Sequence, residues 1–152
     1  MSLLYYCFKI KRKLALSMAK SQLIGSPSYC SDLEVHGSFE IIHPENFIYG
    51  NGLSINGGVY INAGAPITLG INVSLSAQSM LITKGLEFND MKNHYAKPIT
   101  IGDNVQLGAG SIILPGVSIT DNVIVAAGSV VTKSINQSGV FAGVPSRLVR
   151  GF

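Results

Sequence analysis

Three histidines and a small set of cations are most of what this chain offers for chemistry. Histidine titrates near neutrality, so it can take or give a proton at physiological pH without much tuning by its surroundings. Of His36, His43 and His94, only His94 lies in a polar, non-repetitive stretch, Leu86 to Ala96. Loops held on a rigid body are where function tends to concentrate. Glu87 and Asp90 share that stretch and could orient an imidazole or hold hydroxyl groups, although a solvated charge is their plainer reading. A second group is basic. Lys133, Arg147 and Arg150 stand among apolar packing residues near the C-terminus, and such donors suit a phosphate. Cys7 and Cys30 fit no metal or redox spacing and make no disulfide framework, so the chain reads as reduced and cytoplasmic.

Positioning these groups falls to 152 residues, enough for one domain with a real core. Hydrophobic residues make up 47% and charged ones only 12%, which excludes a disordered chain. No apolar run reaches the roughly 18 residues needed to span a bilayer, and a net charge of +3 is too weak to indicate a nucleic-acid surface. Leu3, Cys7, Ile10, Leu14 and Met18 recur at a helical period, with Lys9, Arg12, Lys13 and Lys20 mostly off that stripe. Residues 1–25 are therefore expected to form an amphipathic helix, packed on the body or on a neighbouring subunit. Its basic side also permits peripheral contact with an anionic membrane face. The charges do not precede the apolar residues as they do in a secretory signal.

A six-residue repeat dictates the rest, over 33–152. From Ile101 the chain divides into IGDNVQ, LGAGSI, ILPGVS, ITDNVI, VAAGSV and VTKSIN. The first positions are all aliphatic, and the fifth, from Val105 to Ile135, are small or β-branched. The fourth positions are Asn104, Gly110, Gly116, Asn122, Gly128 and Ser134. Gly and Asn tolerate positive φ, so each hexad is expected to turn a corner there. A short strand and a turn every six residues describe an all-β solenoid, a parallel β-helix of triangular section. Upstream, Tyr49, Ile55, Ile61, Ile67 and Val73 keep the period, as do Leu69, Leu75 and Leu81. From Leu81 to Ile101 the phase slips, so the stretch near 86–96 is expected to leave the coil as a protruding loop.

The segment from Pro98 to Arg150 resembles the hexapeptide-repeat acyltransferases, of the maltose and galactoside O-acetyltransferase type and the polysaccharide and xenobiotic acetyltransferase type. The likeness is thinner from Glu45 to Lys84 and absent from the first 25 residues. It implies a left-handed parallel β-helix assembled as a homotrimer, with acetyl-CoA as acyl donor in grooves between subunits and no metal required. The family's AGS-x-VTK stretch stands here as Ala127 to Lys133, and its G-x-P-x-R/K tail as Gly143, Val144, Pro145, Ser146 and Arg147, followed by Arg150. The resemblance thus implies cofactor contacts from Ala109, Gly110, Ala127, Thr132, Lys133, Pro145, Arg147 and Arg150.

In the sugar acetyltransferases a histidine follows a short Thr/Ser-Gly stretch at the start of the loop. Here that stretch is Thr83, Lys84, Gly85, and Leu86 stands where the histidine would be. His94 is then the candidate general base, taking the acceptor hydroxyl proton as its oxygen attacks the thioester. A backbone N–H at Ala109 or Gly110 would hold the developing oxyanion. Asn56, Asn62 and Glu87 are candidate acceptor contacts, with turn asparagine as the ordinary role of the first two. The expected function is O-acetylation of a sugar hydroxyl, in the making of a surface polysaccharide, with N-acetylation of a nucleotide-linked amino sugar as an alternative. A zinc lyase on the same solenoid would need three convergent histidines, and His36, His43 and His94 lack the spacing. A non-catalytic trimeric scaffold fits Leu86, but it leaves the basic set without a purpose.

Overall fold

The computed structural model describes Ser17, residues 20–23 and residues 32–152. The expected helix over 1–25 falls mostly outside the described residues. Of that segment, Leu23 is fully buried in the core. Lys20 Nζ donates to the Leu33 carbonyl at 3.0 Å, and Gln22 Oε1 accepts from the Ile41 N–H at 3.2 Å. This part of the chain therefore closes over the first coil.

From Glu34 the chain winds through three parallel faces. Face one stacks Glu34–Val35, Ser54–Ile55, Ser74–Leu75, Gln106–Leu107, Val123–Val125 and Gly139–Ala142. Face two stacks Glu40–Ile42, Tyr60–Asn62, Met80–Ile82, Ile112–Ile113 and Val130–Val131. Face three stacks Phe47–Tyr49, Ile67–Leu69, Ile99–Ile101 and Ser118–Ile119. Side chains alternate along a strand, so a two-residue strand turns one apolar residue inward and some three-residue strands, such as Ile67–Leu69, turn two, and the parallel register stacks these into columns. Face one carries Val35, Ile55, Leu75, Leu107, Val125 and Phe141. Face two carries Ile41, Ile61, Leu81, Ile113 and Val131. Apart from half-buried Ile41, all of these are buried. Each such aliphatic contributes about 1.5–3 kcal/mol through burial.

The corners follow the hexads. Asn104, Gly110, Gly116, Asn122 and Gly128 all have φ between 54° and 81°. Upstream, each coil advances twenty residues, Val35 to Ile55 to Leu75, whereas downstream it advances eighteen, Leu107 to Val125. The longer upstream coils take their extra residues between faces two and three, as in Ala63–Pro66. That is why the early repeat is less regular.

The protruding segment is more ordered than a loop. Lys84–Leu86 and His94–Ala96 form an antiparallel hairpin, with Leu86 opposite His94, Gly85 opposite Tyr95 and Lys84 opposite Ala96. Thr83 anchors its base: the hydroxyl donates to the Asn62 carbonyl at 2.7 Å and accepts from the Ala65 N–H at 3.0 Å. Asp90 organises its tip by accepting from the N–H groups of Lys92 and Asn93, both at 3.0 Å, and from Asn93 Nδ2.

Candidate active site

Each corner of the solenoid has its own chemistry. Between faces three and one, asparagines stack. Asn72 Nδ2 donates to Asn104 Oδ1 at 3.1 Å, and Asn104 Nδ2 to Asn122 Oδ1 at 3.3 Å. Asp103 and Asp121 accept backbone N–H groups of Ile71 and Asp103, both at 2.7 Å. Side chains so engaged with their own scaffold hold the corner together.

The corner between faces one and two carries Ala77 and Gln78 and then, in the last two coils, only small residues: Ala109 and Gly110, Ala127 and Gly128. Gly110 N–H donates to Ala77 O at 2.9 Å, and Gly128 N–H to Ala109 O at 2.8 Å. A Cβ at either glycine would meet nothing within 4 Å, so the surface along this column is open. The tail closes its far end. Gly143 N–H donates to Ser129 Oγ at 3.1 Å, and Ser146 N–H to Val130 O at 2.8 Å, which fixes the Val144–Pro145 turn below Gly128. Arg147–Gly151 then runs back antiparallel to Gly139–Ala142. Ala109, Gly110, Ala127 and Pro145 therefore share one edge, with Arg147 leading off it. One expectation narrows. The Gly110 N–H is already bonded to Ala77, so it is not available to an oxyanion. No bond to the Ala109 N–H is found among the described residues.

The corner between faces two and three carries the hairpin, and in the last coil Thr132 and Lys133, both exposed. His94 lines a pocket of about 400 Å³ with Lys84, Tyr95 and Ala96. Opposed residues in an antiparallel pair share a face, so Lys84, Leu86, His94 and Ala96 lie on one side of the hairpin and Tyr95 on the other. The Tyr95 ring covers Gly85. Lys97 Nζ sits 5.1 Å from the centroid of that ring, within cation–π range.

The acidic neighbours do not orient His94. Pairing continues one step to Glu87, whose N–H donates to Asn93 O at 2.8 Å, so Glu87 alternates to the opposite face. The Asp90 carboxyl is held below its ordinary range by the N–H groups of Asn93 and then Lys92, which stabilise the anion where it stands. The carboxylate pairs belong to the other histidines. His36 Nε2 lies 3.4 Å from Glu34, and His43 Nδ1 lies 3.1 Å from Glu45, all exposed on the first coil. Glu45 is lowered by its backbone hydrogen bond first and by His43 second.

The two asparagines singled out in the sequence are half-buried and partly engaged. Asn56 Nδ2 donates to Leu75 O at 3.1 Å, and Asn62 Oδ1 accepts from the Gly64 N–H at 3.3 Å. Lys84 was not among the sequence-derived candidates. Its one signal was its position between Thr83 and Gly85, at the mouth of the hairpin.

Residues 98–133 match the model of the hexapeptide repeat of succinyl-transferase. The chain is similar to the crystal structure of a maltose O-acetyltransferase from Clostridium difficile 630, at 30% identity over 97% of this chain and 85% of that one, with a TM-score of 0.81. It is also similar to a hexapeptide-repeat acetyltransferase from Vibrio cholerae, at 27% identity over 87% and 76% of the two chains, TM-score 0.77. A galactoside acetyltransferase in complex with coenzyme A matches at 26% identity over 91% and 81%, TM-score 0.73. Among curated proteins no match is found.

Proposed function

The chain belongs to the hexapeptide-repeat acetyltransferases, and from that premise we propose that it moves acetyl from acetyl-CoA to a hydroxyl on a saccharide, with His94 as general base. The observation that carries this reading is the register of the hairpin. The position at which the family's histidine would stand is filled by Leu86, and His94 faces it directly across the ladder. A base displaced by one step across a hairpin reaches the same space from the other strand. A hydroxyl must lose its proton as it attacks, and His94 would take it; N-transfer to an amino sugar would call for the same base.

Acetyl-CoA would lie along the small-residue corner, with the Ala109 N–H toward the thioester oxygen and Pro145 and Arg147 at the nucleotide end. His94, Thr132 and Lys133 stand on the hairpin corner, at the opposite end of face two. From Gly110 to Leu114 a strand spans about 13 Å at about 3.3 Å per residue. One chain therefore presents two half-sites, and a homotrimer with a left-handed coil in each subunit would join the small-residue corner of one copy to the hairpin corner of the next. Apolar side chains at the hairpin tip and tail support such contacts: Phe88 is 89% exposed and Val144 71%. Surface polysaccharide precursors are the acceptors we favour, in the cytoplasm, with Lys9, Arg12 and Lys13 as the residues of the N-terminal segment assigned to peripheral membrane contact.

Calorimetric titration of acetyl-CoA into the purified assembly tests the reading. Saturable binding supports it. A folded assembly that binds no acetyl-CoA would remove it and favour a scaffold.

A further inference from the structure

Lys84 is an exposed cation without a counter-ion among the described residues, and it stands next to the proposed base. It lies in register with Ala96, one diagonal step from His94 on the same face of the hairpin, and both line the same pocket. Its stem crosses Gly64, one coil away, where a Cβ would meet Lys84 Cγ, Cδ and Cε, and its end is exposed to the pocket.

No carboxylate of the described residues forms an ion pair with it; the recorded pairs are His36 with Glu34 and His43 with Glu45. Glu45, on the same corner two coils earlier, is thus already engaged. Asp90 is bound to Lys92 and Asn93 at the hairpin tip, and Glu87 alternates to the other face. The candidates for the phosphates of CoA, Lys133 and Arg147, belong to the last coil and the tail. That places them about 10 Å along the axis at about 4.8 Å per coil. An ammonium at this position therefore answers neither the scaffold nor the cofactor, and the remaining group in the reaction is the acceptor.

We propose that the acceptor is a saccharide carrying an anionic group, a carboxylate or a phosphate, which Lys84 binds while His94 faces the hydroxyl to be acetylated. This rests on the acetyltransferase reading above and adds the charge of its substrate. A lysine ammonium is a point charge with three donors, suited to either anion, and fixing the anion on one side of the pocket orients the ring.

The test is CoA release by the assembled protein with acetyl-CoA and three matched saccharides: glucose, glucuronate and glucose 1-phosphate. Wild type is compared with Lys84→Gln and with Lys97→Gln, whose ammonium is held on the opposite face by Tyr95. The expected kcat/KM for a charged saccharide exceeds that for glucose by about tenfold, as one charge-assisted hydrogen bond warrants. That ratio falls to about one in Lys84→Gln and persists in Lys97→Gln. Preference for glucuronate would identify a carboxylate, and preference for glucose 1-phosphate a phosphate. Equal use of glucose and its charged partners would overturn the inference and leave the transferase reading standing. Turnover of none of the three would overturn the inference, and absence of acetyl-CoA binding would overturn the transferase reading as well. Weakened acetyl-CoA binding in Lys84→Gln would overturn the inference by assigning this lysine to the cofactor.

Discussion

Leu86 and His94 occupy a close, non-hydrogen-bonded pair of the hairpin ladder. The bonds that flank them fix this: Glu87 N–H to Asn93 O at 2.8 Å, and Lys97 N–H to Thr83 O at 2.9 Å. In such pairs the side chains approach to about 5 Å. A residue can therefore move from one strand to the other and still serve the same point in space. His94→Gln should lower kcat by about 10²–10⁴-fold, the range of a general base, with acetyl-CoA affinity unchanged in calorimetry. The exchanged variant, Leu86→His with His94→Leu, should recover part of that loss. Full activity in His94→Gln together with its loss in His43→Ala would move the base to the histidine that Glu45 holds.

Lys133 and Arg147 come from different corners, yet each should weaken acetyl-CoA when truncated. Both are exposed, so solvent screening limits each contact, and Lys133→Ala or Arg147→Ala should raise the acetyl-CoA Kd by about fivefold to tenfold. An unchanged Kd in both would place the phosphates elsewhere.

Gly110 separates the needs of the backbone from those of the groove. Its φ is 65°, where a β-branched residue is strained by about 1–2 kcal/mol. Asn tolerates this conformation far better, yet its side chain would enter the open space over the corner. Gly110→Asn should keep thermal stability near that of the wild type while acetyl-CoA binding falls, and Gly110→Val should lose both. Undiminished acetyl-CoA binding by a stable Gly110→Asn protein would show that the cofactor does not follow this edge.

Much of this architecture was legible in the repeat. Corners at Asn104, Gly110, Gly116, Asn122 and Gly128 follow from residues that accept positive φ, and the aliphatic columns follow from period and branching. The hairpin strands were not legible. Their pairing joins Lys84–Leu86 to His94–Ala96, in which only Gly85 and Tyr95 are half-buried and Leu86 is exposed, so no apolar alternation marked them. The site was readable only as a set of residue types. Which corner each residue joins depends on how many residues a coil contains, and that number changes from twenty to eighteen where the hairpin emerges. Lys84 escaped notice for a related reason: its meaning lies in the stem crossing Gly64, a contact between coils.

Asp90 ties the hairpin tip to pH. The N–H groups of Asn93 and Lys92 hold its folded pKa below the ordinary aspartate value. A carboxyl depressed on folding contributes order that is fully present above its unfolded pKa and is lost as pH falls through the folded one. Amide exchange at Lys92 and Asn93 should therefore accelerate, beyond its intrinsic pH dependence, as the solution is acidified below the normal aspartate range. Asp90→Asn should exchange quickly at neutral pH and show no such transition. Identical profiles for the two proteins would mean that the carboxylate does not order the tip.

The proposed division of one chain into two half-sites makes the strongest demand. A subunit with Ala127→Trp would block its small-residue corner but keep an intact hairpin, and a His94→Gln subunit would do the reverse. Each assembly alone should be inactive, because every interface then lacks one half. In a cyclic trimer containing both kinds, one interface of three pairs an intact corner with an intact hairpin, so such trimers should regain about a third of wild-type activity. Co-purified mixed trimers, isolated through two different affinity tags, provide the measurement. No recovery in a verified mixture would mean that base and cofactor edge belong to the same chain. The hairpin would then have to fold back over face two to reach the thioester.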